Sequence, residues 1–251
     1  MFFVLKKKTI VIIGILLAVA ILCACGIGVM VEERVFSKRL IPIYSVERDE
    51  NTVALTFDCA WGAEKTRGIM DLIEGAGFKC TFFVTGFWVD ANKEVVKEIV
   101  TRGHQIGNHS ENHLHMAKLK ENEVASEIDS VNNRIKELTG EETTIFRAPF
   151  GEYDNGLIMA LNERKTACIQ WSIDSLDWKG LSGGKIAERV TNKIRSGDIV
   201  LFHNNSEHIL EGLPLVIETL KNKGLRAVRV DELIYKENFT INGEGKQIKN
   251  S

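Results

Sequence analysis

From residue 53 onward, strand-like and helix-like segments alternate along the chain. The strand-like segments are 53–58, 80–86, 104–109, 144–151, 167–174, 198–203 and 226–233. Helical patterns lie between them, at 64–76, 93–102, 121–138, 155–165, 184–196 and 213–223. This alternation is typical of a parallel sheet with crossover helices. Strand-helix units in this number close most simply into a barrel, so we predict an α/β fold of the irregular (β/α)7–8 barrel type.

An uncharged apolar run at 9–31 follows three lysines, Lys6, Lys7 and Lys8. Its 23 residues are long enough for a helix to cross the hydrocarbon core of a bilayer, which is about 30 Å thick. A cleaved signal peptide has an apolar region of only about 7–15 residues. We therefore predict that an N-terminal transmembrane helix precedes the barrel. Cleavage as a signal peptide remains an alternative, as does lipoprotein processing, because Leu22-Cys23-Ala24-Cys25 loosely resembles a lipoprotein processing site.

The positive-inside rule assigns residues 1–8 to the cytoplasm and everything after residue 31 to the outside. The protein is then a single-pass membrane protein with an extracytoplasmic domain. We expect a linker at 32–50 that packs on the domain through the sequence IPIY, a folded domain at 51–235 and a polar, frayed tail at 236–251.

Charge and cysteine content exclude two kinds of function. A net charge of −2 and a pI near 6.3 argue against a nucleic-acid partner, which normally needs a basic face. Outside the apolar run only Cys59, Cys80 and Cys168 remain, and none of them forms a CxxC pair. A dedicated cysteine zinc site is therefore excluded, and at least one of the three thiols has no partner within the chain.

Groups capable of acid-base or metal chemistry stand at the ends of the predicted strands. In parallel barrels the carboxyl ends of the strands carry the active site, and its residues come from several strands. The sequence therefore predicts that these distant residues meet at one mouth of the barrel. They are Asp58, His109, Arg147, Asp174 with Asp177, and His203.

Histidines are concentrated in the stretch GNHSENHLH at 107–115. His109 and His113 are four residues apart and could chelate a metal if they lay on a helix, whereas His115 is out of step with them. His104 and His208 are interpreted as structural. Taken alone, each of the four tryptophans, at 61, 88, 171 and 178, is interpreted as a core residue.

Five short motifs occur in the chain in the order LTFDCAWG, HSENH, RAPFG, DSLDW and LFH. In this order they resemble the motifs of the polysaccharide deacetylases, carbohydrate esterase family 4 or the NodB-homology domain, over about residues 50–235. The sequence IPIYSVERDENTVALTFD and the W-G of the first motif are similar to sporulation-type members. The resemblance implies an irregular (β/α) barrel and metal-dependent removal of N-acetyl groups from chitin-like or peptidoglycan glycans.

The resemblance also implies roles for four polar residues. Asp58 matches the catalytic base, which takes a proton from the attacking water. Arg147 matches the arginine that keeps this base ionised, as a nearby cation should. His203 matches the general acid that protonates the leaving amine, and Asp177 matches the carboxylate that orients it.

The same resemblance makes His109 and His113 the ligands of a divalent metal. Zinc is the expected ion, with cobalt or nickel as alternatives. It places Ser110 as a supporting hydrogen-bonding group. The family's first motif usually reads T-F-D-D-G, with a second, metal-binding aspartate, where this chain has Cys59. The thiol either ligates zinc as a thiolate or fills space. We expect it not to be an essential ligand.

The substrate side of the resemblance involves Phe150, Trp178 and Leu201. Phe150 matches a position whose backbone N–H stabilises the oxyanion, and the other two match apolar walls near the acetyl methyl. The expected partner is an N-acetylated cell-wall or spore-wall glycan, with the membrane contacted through residues 9–31. The alternative is a weakly active or inactive glycan-binding or morphogenetic protein of the envelope, which Cys59 favours.

The charge pattern at the N-terminus yields a first testable prediction. Protease added outside intact protoplasts should digest residues 32–251, because the lysines at 6–8 keep the short N-terminal segment inside. Immunodetection of the full-length chain over time measures this. Complete protection, with digestion only after the membrane is opened, would show the opposite orientation.

Overall fold

A curled parallel sheet with helices around it organises residues 39–250, the part of the chain that the computed structural model describes. The strands within these residues are β1 (Ser45–Val46), β2 (Thr52–Cys59), β3 (Thr81–Val84), β4 (Gln105–Asn108), β5 (Ile145–Phe146), β6 (Ala167–Cys168), β7 (Ile173–Asp174), β8 (Ile199–His203), β9 (Arg226–Val228), β10 (Phe239–Ile241) and β11 (Lys246–Lys249). The helices are α1 (Thr66–Gly75), α2 (Gly86–Ala91), α3 (Lys93–Thr101), α4 (Glu121–Thr139), α5 (Asn155–Glu163), α6 (Gly183–Thr191), α7 (Ile209–Asn222) and α8 (Val230–Leu233).

The main sheet has the strand order β6-β5-β4-β3-β2-β8-β7, and β9 pairs with the first residues of β2. Every ladder in it is parallel, as the alternation of strands and helices predicted. The long central strand β2 lies between β3 and β8, with Asp58 opposite Phe83 on one side and His203 on the other. This register places the carboxyl ends of the three central strands side by side.

The sheet must curl, because its two edge strands are close in sequence. Strands β6 and β7 lie at opposite ends of the strand order, yet only residues 169–172 separate them. Six spacings of about 4.8 Å would part the edges of a flat sheet by about 29 Å. Five residue steps reach at most about 18 Å. The described strands therefore form a curled half-barrel, with no ladder between β6 and β7.

The predicted single strand at 167–174 is wrong, since the structure divides it into β6 and β7. The reason is the segment before β1. The N–H of Ile43 donates to the carbonyl of Cys168, and the carbonyl of Ile43 accepts the N–H of Gln170. These bonds take the backbone after β6 out of the main sheet, so it can join the other edge as β7.

The alternation of side chains along β2 separates two environments. Val53, Leu55, Phe57 and Cys59 belong to the apolar cluster that packs the sheet against α1, α3, α6 and α7. Because successive side chains of a strand point to opposite faces, Asp58 points to the other, interior face. The sequence of this strand thus fixes which of the adjacent residues 58 and 59 reaches the cavity.

Two of the predicted strands run into helices. Thr85 ends the strand-like segment 80–86 and caps α2, its hydroxyl accepting the N–H of Trp88 at 3.4 Å. The segment 226–233 is β9 only at its start and then forms α8. Trp88 is 1% exposed, so this tryptophan is a core residue as predicted.

The segments on either side of the domain form a second, small sheet. Strand β1, within the predicted linker, pairs in parallel with β11, and β11 pairs antiparallel with β10. The prediction of a frayed tail is therefore wrong for residues 239–249. The side chain of Gln247, fully buried, accepts the N–H of Tyr235 and donates to its carbonyl, both at 2.8 Å. Sequence polarity concealed this hairpin, because its buried anchor is an amide.

The predicted anchor at 9–31 and the cytoplasmic residues 1–8 lie outside the described residues. Across residues 39–250, none of the helices combines the length and apolar character needed to cross a membrane.

The amide anchor of the hairpin predicts a specific loss of stability. Gln247→Ala should lower the free energy of unfolding by about 1–3 kcal/mol, because it leaves two partly buried backbone groups of Tyr235 without their side-chain partner. Lys249→Ala, exposed on the same strand, is the matched control and should change little. Chemical denaturation of the two variants measures the difference. Equal stabilities would show that the hairpin contributes nothing.

Candidate active site

Asp58 and His203 stand side by side at the carboxyl ends of β2 and β8. They are register partners, so their side chains point to the same face of the sheet. Asp58 is 7% exposed, and the side chain of His203 is about one-third exposed, at 34%. A predicted base and a predicted acid therefore meet in one cavity.

Arg147 reaches Asp58 from β5 across the inside of the curled sheet. Its Nη1 lies 2.8 Å from Asp58 Oδ1, and its Nη2 donates to the carbonyl of Gln170 at 3.1 Å. The guanidinium is fully buried, 4.1 Å above the ring of Phe83. Burial works to raise the pKa of Asp58, but the charge and hydrogen bond of Arg147, with the charge of His203, outweigh it and leave the pKa below its ordinary value.

Asp177 holds His203 through two hydrogen bonds. Its Oδ1 lies 2.8 Å from the ring Nδ1, and its Oδ2 accepts the backbone N–H of His203 at 2.8 Å. Leu176, in the left-handed region at φ 53°, makes the turn that aims Asp177 inward, and its N–H is capped by Asp174. Burial works to lower the pKa of His203, but the bond and charge of Asp177 prevail and raise it.

His109 and His113 come together, but not on a helix as the four-residue spacing suggested. Their ring centroids are 5.0 Å apart. The loop between them is bent by two residues with positive φ, Ser110 at 67° and His113 at 54°. Ser110 Oγ accepts the N–H of His113 at 3.0 Å, so the serine has the supporting role that the resemblance implied. A strained loop, rather than a helical turn, sets the geometry of the pair.

The loop is tied to α4 by a carboxylate. Glu127, only 7% exposed, accepts the backbone N–H of Asn112 at 2.8 Å and its side-chain amide at 2.6 Å. Glu111 makes a second tie, to Arg134, with oxygens 2.9 and 3.0 Å from Nη1. Both ties come from residues inside the HSENH motif, between the two histidines, and they hold His113 in place.

The two imidazoles suit a divalent cation. The Nδ1 of His109 lies 2.8 Å from the carbonyl of Arg147, which can only accept, so Nδ1 carries the proton and Nε2 has the free lone pair. That Nε2 is 3.5 Å from Asp58 Oδ2, which is another acceptor. A bound divalent cation would reduce the repulsion between these two acceptors. Burial lowers the pKa of both rings, that of His113 to about 4, so both are neutral as metal ligands must be.

The set of ligands is nevertheless short by one. Among residues 39–250, no three histidine, cysteine, aspartate or glutamate side chains converge into a complete metal site. Cys59 does not fill the gap, since its thiol is fully buried in the apolar cluster and lies 3.6 Å from the carbonyl of Phe57. Burial, followed by the charge of Asp58, raises the pKa of this thiol well above its ordinary value. A buried neutral thiol is a poor zinc ligand.

An open cavity of about 820 Å³ collects these residues. Of the predicted site residues, Arg147 alone lies behind the wall rather than in it. The predicted substrate contacts Phe150, Trp178 and Leu201 all line the cavity. Phe150 is 56% exposed and lies between two imidazoles, with ring centroids 4.7 Å from His113 and 4.3 Å from His115. His115 is half-exposed and bonded to Glu152, away from the predicted ligands.

Sequence reasoning missed part of the cavity wall. Trp61, interpreted as a core residue when taken alone, is 68% exposed and lines the cavity, as do Trp171 and residues 204–207. Their positions in the sequence were the available signal, since Trp61 comes three residues after Asp58 and residues 204–207 come directly after His203. His104 is structural as predicted, since it is buried between Cys80 and Glu74.

Comparison with known proteins identifies the family. The polysaccharide deacetylase family model matches residues 45–167. A peptidoglycan-N-acetylglucosamine deacetylase of Bacillus cereus is 33% identical over 185 residues, which cover 72% of this chain and 67% of that protein. The chain belongs to the polysaccharide deacetylase family. The recognition made from the five motifs is thus confirmed at the level of the family.

Two further proteins are similar to this chain, one an uncharacterized protein and one a pseudoenzyme. An uncharacterized protein of Bacillus subtilis is 32% identical over 77% of this chain, which spans 60% of that protein's length. A carbohydrate esterase family 4 pseudoenzyme from Bacillus anthracis has a similar structure, with a TM-score of 0.75 and 30% identity, covering 78% of this chain and 69% of its own. A mutant of that pseudoenzyme with restored enzymatic activity has also been solved. The family thus contains both active and inactive members.

The position of Cys59 predicts a metal-binding result. Cys59→Ala should keep most of the zinc affinity, because the thiol lies in the apolar cluster, whereas His109→Ala should lose it. Calorimetric titration of zinc into the three proteins measures this. Loss of binding in Cys59→Ala, with thiolate-to-metal charge transfer in the cobalt-loaded wild type, would instead make Cys59 a ligand.

A carboxylate at the same position is the informative companion. Cys59→Asp should leave the zinc affinity near that of the wild type, because the side chain at position 59 points into the apolar cluster and not towards the two imidazoles. The variant should be less stable than the wild type, since an unpaired carboxylate would be buried among apolar side chains. Much tighter zinc binding, or unchanged stability, would show that the side chain at this position reaches the cavity.

Proposed function

We propose that the protein hydrolyses N-acetyl groups of a peptidoglycan-like cell-wall or spore-wall glycan in a metal-dependent reaction. The observation that carries the proposal is the pairing of Asp58 with His203. The two are adjacent, and their partners Arg147 and Asp177 move their pKa values in opposite directions. A base that is held ionised and an acid that stays protonated to higher pH than an ordinary histidine therefore face the same cavity, as amide hydrolysis requires.

Five residues that line the cavity have a role in this reaction. Asp58 removes a proton from the water that attacks the acetamide carbonyl. His203 gives a proton to the nitrogen that leaves as an amine. The backbone N–H of Phe150 faces the developing oxyanion, and the side chains of Trp178 and Leu201 bound the space for the acetyl methyl.

His109 and His113 are the residues that would hold the metal, zinc in the first place, with cobalt or nickel as alternatives. A bound divalent ion would supply Lewis-acid polarisation of the carbonyl and lower the pKa of water. The Nδ1 proton of His109, held by the carbonyl of Arg147, keeps Nε2 available for this role. The Bacillus cereus relative, named as a peptidoglycan-N-acetylglucosamine deacetylase, supports the choice of glycan.

The alternative function is that of an inactive or weakly active glycan-binding protein of the envelope. It is favoured by the incomplete ligand set at Cys59 and by the existence of a pseudoenzyme of similar structure. The intact acid-base pair favours the enzyme. Acetate release from N-acetylated glycan fragments, measured with and without added zinc or cobalt, distinguishes the two.

For the cell, we infer attachment to the membrane through residues 9–31, with the catalytic domain outside. The support is the uncharged run and the lysines before it. The similarity to sporulation-type sequences in the first motif favours an envelope role in sporulation.

Removing the base or the acid should abolish most of the activity. Asp58→Asn and His203→Ala should each lower the rate of deacetylation by at least about 10²-fold, the usual contribution of a general base or acid. His208→Ala, a histidine at the exposed start of α7, is the matched control and should be near normal. Steady-state kinetics with circular dichroism as a folding check would decide, and near-normal turnover of either variant would show that its role is different.

The pKa of His203 predicts the alkaline limit of activity. Because the raised pKa keeps this ring protonated to higher pH, kcat/KM should fall only as the pH rises through that raised value. Asp177→Asn removes the negative charge that helps to raise this pKa, so the fall should move to lower pH. A pH profile of kcat/KM for both proteins measures the shift, and an alkaline limb at the same pH in the variant would contradict the assignment.

A further inference from the structure

The turn at 149–151 needs support from outside itself. Phe150 lies in the left-handed region at φ 60°, and Gly151 follows it at φ 69°. A residue with a Cβ rarely adopts this conformation, which persists where the surrounding structure enforces it. Phe150 is 56% exposed, so the apolar core does not enforce it. The restraint must come from another part of the chain.

Gln170 contacts this turn from the segment that joins β6 to β7. It is 1% exposed, and its Nε2 donates to the carbonyl of Gly151 at 3.1 Å. A Cβ on Gly151 would lie 2.9 Å from Trp171 Cη2 and 3.3 Å from Gln170 Oε1, so residues 170 and 171 pack directly against the turn. A relaxation of the turn would therefore move Gly151 out of reach of this hydrogen bond.

The backbone of Gln170 is anchored separately from its side chain. Its N–H donates to the carbonyl of Ile43 at 2.7 Å, and its carbonyl accepts Arg147 Nη2 at 3.1 Å. One residue thus contacts both the guanidinium beside the proposed base and the turn of Phe150. Because the two contacts use different atoms, a change of the side chain removes the bond to Gly151 and leaves the bond to Arg147.

We propose that Gln170 is a positioning residue, which holds the turn so that the backbone N–H of Phe150 faces the reacting carbonyl. The inference rests on the proposed function, in which this N–H stabilises the developing oxyanion. The negative charge develops in the transition state, so a donor that is aimed less well should lower kcat and change KM little. A glutamine that merely filled its place in the fold would affect stability alone.

Substitutions that remove the side-chain bond test whether Gln170 holds the turn. Gln170→Met keeps the length of the side chain and removes the donor, and Gln170→Asn withdraws the amide by one methylene. In either full-length variant, hydrogen–deuterium exchange should become at least about tenfold faster at the amides of Gly151 and Glu152, which close the turn. Peptides from β2 are the internal reference and should exchange as in the wild type. Thermal unfolding establishes that the variants are folded.

Acetate release from N-acetylated glycan fragments tests the consequence for the reaction. Gln170→Met should lower kcat by at least about tenfold and leave KM nearly unchanged, a smaller effect than the loss of a whole oxyanion donor. Gln105→Met is the matched control. The side-chain oxygen of Gln105, at the start of β4, accepts hydrogen bonds from Thr81 Oγ1 and the N–H of Asp231 at 3.0 and 3.1 Å. This variant should be less stable than the wild type and keep its kcat.

Acetate binding provides a readout that needs no turnover. The carboxylate of acetate accepts an N–H as the oxyanion does, so added acetate should shift the Phe150 amide resonance of protein labelled with nitrogen-15 phenylalanine. Phe150→Leu identifies this resonance by its loss. The shift at a given acetate concentration should be smaller in Gln170→Met.

These measurements separate the inference from the proposed function. A wild type that releases no acetate would refute the hydrolysis, whereas faster exchange and a smaller acetate shift in Gln170→Met would still support the positioning of the N–H. Unchanged exchange at 149–152 in the folded variants, or a normal kcat despite faster exchange, would overturn the inference and leave the hydrolysis standing. A raised KM with unchanged kcat would also overturn it, because Gln170 would then contribute to substrate binding rather than to the transition state.

Discussion

The buried ion pair between Arg147 and Asp58 is the contact on which the site depends. It joins β5 to β2 across the interior, which is possible only because the sheet curls until its edges are connected by residues 169–172. The backbone of the same arginine accepts the Nδ1 proton of His109. One residue thereby keeps Asp58, the proposed base, ionised and orients His109, a proposed metal ligand. Losing one partner of such a pair leaves an uncompensated buried charge, at a cost of roughly 3–5 kcal/mol.

The second organising feature is that two neighbouring residues, Asp58 and His203, have pKa values shifted in opposite directions. Asp58 and His203 are adjacent in the ladder, so an ionised carboxylate and a protonated imidazole at these positions attract each other. Here each also has its own partner of opposite charge, Arg147 for the carboxylate and Asp177 for the imidazole. The partners stabilise the charged form of both groups, which is the form that the base needs before proton transfer and the acid needs before it donates. The register of the β2–β8 ladder places Asp58 beside His203, and their partners set the protonation state of each side chain.

The feature that separates this chain from the usual motif of its family is Cys59, next to Asp58. The fold retains the acid-base pair, the two imidazoles and the ties of the histidine loop to α4, as an active enzyme would require. It presents two imidazoles and no third ligand within residues 39–250, and such a pair would bind a metal more weakly than a site with three protein ligands. The first motif shows that Cys59 stands where the family usually has an aspartate, but it does not show where the thiol points. The pleat of β2 decides this, because it turns the thiol into the apolar cluster and leaves Asp58 facing the cavity.

The sequence by itself determined the parallel sheet, the order of its motifs and the strand ends at which Asp58, Arg147 and His203 stand, because apolar periodicity and the polarity of parallel strands are local properties. Tertiary structure decided the rest through contacts between distant segments. The bonds of Ile43 divide the predicted strand at 167–174, and Gln247 secures a hairpin in a segment too polar to reveal it. The exposure of Trp61 and the contact of residue 62 with Asn205 likewise depend on tertiary structure, because no local sequence pattern records which strand ends become neighbours.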